Sequence, residues 1–138
     1  MIRKFSVKKK QKGKNFNKLN NVITFKNLNF NVLKLISISH GRVTDKQIAA
    51  ITAVINKIIK KIGFLQVQIF PHHPVTKKSL GIRMGKGKGS INHYVCNLAI
   101  GVTICTIKSV FMLKAYKALK LAQLRLPIKT KILNTTLL

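Results

Sequence analysis

Carboxylates are nearly missing from this chain: Asp45 is the only aspartate or glutamate among 138 residues. General acid/base catalysis, glycosidic hydrolysis and two-metal chemistry all draw on carboxylates, so a single acid excludes their common designs. A histidine or cysteine nucleophile would still need a group to orient its base, and no enzymatic role is expected. Cysteine is scarce as well. Cys96 and Cys105 have neither CxxC spacing nor a third thiol, which argues against a zinc site. Two readings of that pair stay open: small core residues, or a disulfide across a hairpin turning at Ile100 and Gly101. His72 and His73, set between Pro71 and Pro74, also lack metal partners and read as a loop. Long apolar runs are lacking too. The longest weakly charged stretch, Tyr94 to Ile107, is too short to span a membrane and contains Asn97 and Gly101, so no membrane span is expected. No internal repeat is apparent. The N-terminus lacks the Arg/Ser-rich amphipathic pattern of an import presequence, which points to synthesis where the protein works.

What the chain has in excess is positive charge. Lysine and arginine number 27, for a formal net charge of +26. That exceeds what solubility needs, and self-repulsion of this size opposes compaction, so a polyanion must be considered part of the functional state. If about 6–10 cations neutralise phosphates, affinity falls by roughly 10³–10⁵ between low and near-physiological salt. Nucleic acid is the obvious candidate, and charge does not say which. With 46% hydrophobic residues the chain is more than a basic tail. At this length one domain can bury about two-thirds of its surface.

Residues 1–21 read as a basic arm. Arg3, Lys4, Lys8, Lys9, Lys10, Lys12, Lys14 and Lys18 are set among few apolar residues, so nothing there drives collapse and ordering on RNA is expected. Residues 22–138 read as one domain. Val22 to Phe25 and Phe30 to Ser39 suggest strands, with Phe30, Val32, Ile36 and Ile38 on one parity and Lys34 interrupting it. Thr44 and Gln47 form a capping box, and Asp45 falls in the first turn of the helix they open, against the positive end of its dipole. Ile48, Ile51, Ile55, Ile58, Ile59 and Ile62 then make one apolar stripe, and Gly63 is expected as the C-cap. Leu65, Val67 and Ile69 alternate with Gln66 and Gln68 in a further strand, before Pro71 stops the pairing. Ile91 to Ile100 and Val102 to Lys108 suggest a hairpin around Gly101. Ser109 is the expected cap of a second helix whose stripe is Met112, Ala115, Tyr116, Leu119, Ala122 and Leu126, ended by Pro127. Ile128, Thr130 and Ile132 alternate with Lys129 and Lys131, one face core and the other basic. Two singly striped helices on one face of a mixed, mostly antiparallel sheet make a two-layer α+β domain.

Between the third strand and that hairpin, residues 81–90 alternate glycine with cations. Gly81, Gly85, Gly87 and Gly89 leave the backbone free to approach phosphate closely. A Walker loop fails because Gly81 and Gly85 enclose three residues, not four, and Gly87 follows Lys86 where Ser or Thr is needed. The dinucleotide and kinase patterns fail at Ser90, where glycine is required. Walker and kinase sites also need a carboxylate for Mg²⁺, and the chain's only one sits at a helix start.

The run Arg83, Met84, Gly85, Lys86, Gly87, Lys88, Gly89 closely resembles the signature of large-subunit ribosomal protein sixteen of the bacterial and organellar type. Other segments agree in order and spacing: His40 to Thr44, Ile69 to Pro71 with Pro74 and Thr76, and Ala118 to Ala122 leading into Leu126 to Thr130. The resemblance covers roughly residues 3–133. It implies an α/β-hammerhead fold seated on large-subunit rRNA beside the aminoacyl-tRNA site, and a part in late subunit assembly. By the same resemblance, residues 83–89 form a loop near tRNA at the aminoacyl and peptidyl sites, while Arg42 and the N-terminal lysines contact rRNA; Lys129 and Lys131 join them as rRNA-binding candidates. Neighbouring large-subunit proteins would be partners, no residue is catalytic, and no cofactor is implied beyond Mg²⁺ bound to RNA. Lys108, Ser109, Lys114 and Asn92 stand where the family usually keeps acids, which puts protein–protein salt bridges in doubt. Lysine outnumbers arginine 23 to 4, a bias that fits an AT-rich organelle genome. The expectation is therefore a mitochondrial ribosome, with plastid or bacterial cytoplasm as alternatives. From charge alone, a DNA-compacting nucleoid protein is the competing reading.

Overall fold

The computed structural model describes residues 32–85 and 87–135. The arm, the strand expected at Val22 to Phe25, and Lys86 lie outside the described residues. Among the described residues nine elements follow in order: β1 (Val32–Ser37), β2 (Gly41–Thr44), α1 (Asp45–Ile59), β3 (Gly63–Val67), β4 (His73–Lys77), β5 (Ser90–Leu98), β6 (Thr103–Ser109), α2 (Met112–Gln123) and β7 (Thr130–Thr135). The strands form two sheets, ordered β3-β6-β1-β7 and β2-β5-β4, and every pairing is antiparallel. The helices pack against each other; α2 covers β1 and β7 of the larger sheet, and α1 touches β3 of that sheet and β2 and β5 of the smaller one. The α+β class is as the sequence indicated. The division into two sheets was not foreseen.

Helix α1 starts where local chemistry says it must. The Gln47 amide donates to Thr44 Oγ1 at 3.3 Å, and the Thr44 amide donates to Gln47 Oε1 at 2.9 Å. Ile51, Ile55 and Ile59 are buried, and Ile48 and Ile58 pack beside them. Burying a side chain of this size contributes about 1.5–3 kcal/mol. The expected role of Gly63 is different. The helix stops at a right-handed C-cap, Lys60, and Gly63 opens β3. A Cβ on Gly63 would come within 2.5 Å of the Lys108 carbonyl oxygen and 2.9 Å of Ser109 Cβ, so glycine is required by close strand approach. Ser109 does not cap α2 either: the N-cap is Phe111, without a side-chain hydrogen bond, while Ser109 Oγ accepts from the Phe111 amide at 3.1 Å.

Strand β1 buries the opposite parity from the one expected. Leu33, Leu35 and Ser37 are inside. Because partners in a ladder share a face, Leu33 joins Ile107, and Leu35 joins Cys105 and Ile132, beneath the helices. Lys34 then stands opposite Leu133 and Thr106 on the far face, where a cation interrupts no core.

The expected hairpin at Gly101 is not formed. Gly101 does turn the chain, at φ +85°, but β5 pairs with β2 and β4 while β6 pairs with β1 and β3. Cys96 and Cys105 thus sit in different sheets, buried and unbonded. Burial pushes the Cys105 thiol up to about 12. Burial raises Cys96 too, opposed by a backbone hydrogen bond from Phe70. His73, read with His72 as loop from the sequence, opens β4, and Pro74 follows it in the strand. Proline is tolerated there because β4 is an edge strand.

Candidate nucleic-acid interface

The glycine-lysine loop joins β4 to β5 and projects beyond the smaller sheet. Its base is tight. Lys77 pairs with Ser90, and a Cβ on Gly89 would come within 2.5 Å of the Lys77 carbonyl oxygen. Its far part is open. Gly81, Gly85 and Gly87 have φ of +85°, +103° and +83°, and a Cβ on any of them would meet nothing within 4 Å. Glycine serves backbone shape at these three positions and close packing at Gly89. Arg83, Gly85, Gly87 and Lys88 are exposed, Gly89 is half-buried, and Met84 is fully exposed. A residue that sequence reasoning missed closes the loop: Lys78 Nζ donates to the Gly85 carbonyl at 2.5 Å. No motif marks it, because the bond depends on the folded path of the loop.

The other cations gather elsewhere. Arg42 is exposed on β2, paired with Asn97 of β5. Next to it, Gly41 is packed against the Ile128 side chain, so closely that a Cβ would collide with it. The Lys129 amide donates to Ser39 Oγ at 3.1 Å, and its carbonyl accepts from the Ile38 amide at 2.9 Å. The fold therefore brings Arg42 and Lys129 to one corner, although 86 positions separate them in the chain. Lys131 lies next along β7, opposite Ile36, on the same far face as Lys34 and Lys108. Lys34 and Lys108 were not among the candidate rRNA contacts; the strand register, invisible locally, is what aligns them with Lys131. From Asn97, beside Arg42, to Ser90 at the loop's base is seven strand steps, roughly 23 Å. The corner and the loop are thus opposite ends of one strand. Arg3, Lys4, Lys8, Lys9, Lys10, Lys12, Lys14 and Lys86 lie outside the described residues.

Among the described residues no group of three His, Cys, Asp or Glu could hold a metal ion, and no helix is long and apolar enough to cross a membrane. The arrangement offers cations, open glycines and exposed apolar tips, groups that suit the binding of a polyanion. This defines a basic α+β protein of the nucleic-acid-binding class. The model of the family described as Ribosomal protein L16p/L10e matches residues 2–133, and the chain belongs to that family. It is similar to the large ribosomal subunit protein uL16 of Blochmanniella pennsylvanica, 38% identical over 108 residues that cover 78% of this chain and 81% of that protein. It is likewise similar to the large ribosomal subunit protein uL16c of Euglena longa, 40% identical over 109 residues, 79% of this chain and 82% of the other. The uL16 of Psychrobacter cryohalolentis is 37% identical over 109 residues, covering 79% of this chain and 80% of that protein.

Proposed function

We propose that this chain is a structural constituent of the large subunit of a mitochondrial ribosome, binding large-subunit rRNA near the aminoacyl-tRNA site and supporting tRNA positioning and late subunit assembly. The observation that carries the division of roles is the separation between the Arg42 and Lys129 corner and the loop at the far end of β5. A protein anchored on rRNA through the corner, the far face of the larger sheet and the basic arm can hold the loop clear of its own anchor. Exposed Arg83, Met84 and Lys88 then meet a second RNA, tRNA, while the glycines let its backbone come near. Mitochondrial origin is supported by the excess of lysine over arginine, 23 to 4, a bias of AT-rich genes.

Co-sedimentation with mitochondrial large subunits at moderate salt tests the seat. Recovery in a ribosome-free fraction, or a preference for duplex DNA over structured rRNA in competition, would overturn it and favour DNA compaction. Replacing Lys86 and Lys88 with Ala tests the division of roles. Weaker tRNA accommodation with subunit incorporation retained is expected; equal losses would remove the distinction.

A further inference from the structure

The two helices treat their outer faces differently. On α1 the exposed positions include Lys46, Ala49, Ala53, Asn56 and Lys57, small or polar. On α2, Ala115, Ala118, Leu119 and Ala122 are buried, so the inward face is complete. Yet Leu113 is 80% exposed and Leu124 79%, with Tyr116 and Leu121 between them about half exposed. Leu113, Tyr116 and Leu124 lie along one side of the helix, about 16 Å from end to end, with Lys120 between the last two. The stripe continues past the helix start. Val110 and Phe111 are 73% and 55% exposed. Contiguous exposed apolar surface of this kind marks an interaction site.

The same surface is cationic and electrostatically incomplete. Lys114, Lys117 and Lys120 rise from α2, with Lys114 Nζ 5.5 Å from the centre of the Phe111 ring. The start of α1 is satisfied internally by Thr44, Gln47 and Asp45, whereas α2 has neither a side-chain cap nor an acid in its first turn. Among the described residues no side chain caps its first amides and no carboxylate stands in its first turn at the positive end of its dipole. Phosphate would satisfy the charges but has no apolar surface with which to cover these aliphatic and aromatic side chains. A protein can supply both.

We infer that the outer face of α2, from Val110 to Leu124, docks another large-subunit protein through a segment that combines apolar side chains with Asp or Glu, a carboxylate meeting the start of α2. The inference rests on the ribosomal reading above. In the assembled subunit, rRNA holds the opposite side of the molecule and this face turns to a protein neighbour.

A photo-cross-linking side chain placed at position 113 or 124 of the full chain, assembled into large subunits, tests this. A cross-link to a subunit protein through a peptide bearing acidic and apolar residues is expected, with its yield falling about tenfold or more when Lys114 and Lys117 are changed to Glu. The double variant Leu113→Ser, Leu124→Ser removes only exposed side chains, and should still enter subunits while lowering the occupancy of the cross-linked neighbour. A cross-link confined to rRNA, a cross-link to this chain's own termini, or no cross-link in intact subunits would each overturn the inference. So would unchanged occupancy of the neighbour in the double variant. If the unmodified chain fails to sediment with subunits, the ribosomal reading itself falls, and sedimentation separates that outcome from the others.

Discussion

Gly101 donates its backbone N–H to the Ser37 carbonyl at 2.8 Å, while the Ser37 amide donates to Val102 at 3.0 Å. Ser37 thereby takes the place that β5 would occupy in a hairpin, and the chain leaves one sheet to enter the other. The turn needs a positive φ but meets nothing around its Cα. Gly101→Ala should therefore destabilise by about 1–2 kcal/mol from backbone conformation alone, and Gly101→Asn by less, since Asn adopts the left-handed region more readily. Urea unfolding of the purified chain at high salt, where self-repulsion is screened, measures both.

Gly63 makes the contrasting prediction. Its φ is not left-handed, but a Cβ would strike backbone at Lys108, which cannot swing aside as a side chain tip can. Gly63→Ala should cost more than Gly101→Ala, roughly 1–3 kcal/mol as for other overpacking changes. A smaller loss than that of Gly101→Ala in the same urea titration would show that the β3 and β6 strands part easily.

The capping box at Thr44 should be worth a measurable amount. Thr44→Ala removes the acceptor for the Gln47 amide and should lower stability by about 1 kcal/mol, while Thr44→Ser retains most of it. Circular dichroism during urea unfolding reads the difference.

The cysteines give a pH dependence of definite sign. The folded pKa of Cys105 is about 12 against an ordinary 9.0, so between these values the unfolded state has lost the proton and the folded state keeps it. Its contribution is fully present below pH 9 and is lost as pH rises toward 12, with a slope approaching about 1.4 kcal/mol per pH unit. Cys105→Ala should abolish that part of the alkaline decline, as measured by unfolding at stepped pH. In the native protein at pH 8, a thiol reagent should label neither cysteine until denaturant is added.

Electrostatic anchoring predicts salt behaviour. Each of Arg42, Lys129 and Lys131 that meets a phosphate should, when changed to Ala, reduce the slope of log affinity against log salt by about one. Filter binding to large-subunit rRNA across a salt series reads this. An unchanged slope in the triple variant would remove these residues from the rRNA interface.

Several features were legible in the sequence because they are local. The Thr44 box, the isoleucine stripe of α1, and the alternation of Lys129 and Lys131 with core residues all depend on neighbours within four positions. The parity of β1 was not legible, because Val32, Leu33, Leu35 and Ile36 are apolar on both sides, and alternation cannot choose between two apolar faces. In the candidate interface, the glycine run announced itself, while Lys78 and the alignment of Lys34, Lys108 and Lys131 did not.

By itself, then, the sequence determined a highly cationic chain without the carboxylates for catalysis, two amphipathic helices and an open glycine loop, since each follows from composition or short-range spacing. Only the tertiary structure decided which strands share a sheet, which side of β1 faces the helices, and that Arg42 and Lys129 share a corner at the end of β5 remote from the loop. Those outcomes turn on hydrogen bonds such as Ser37 to Gly101, between groups far apart along the chain, whose pairing depends on how the whole core closes.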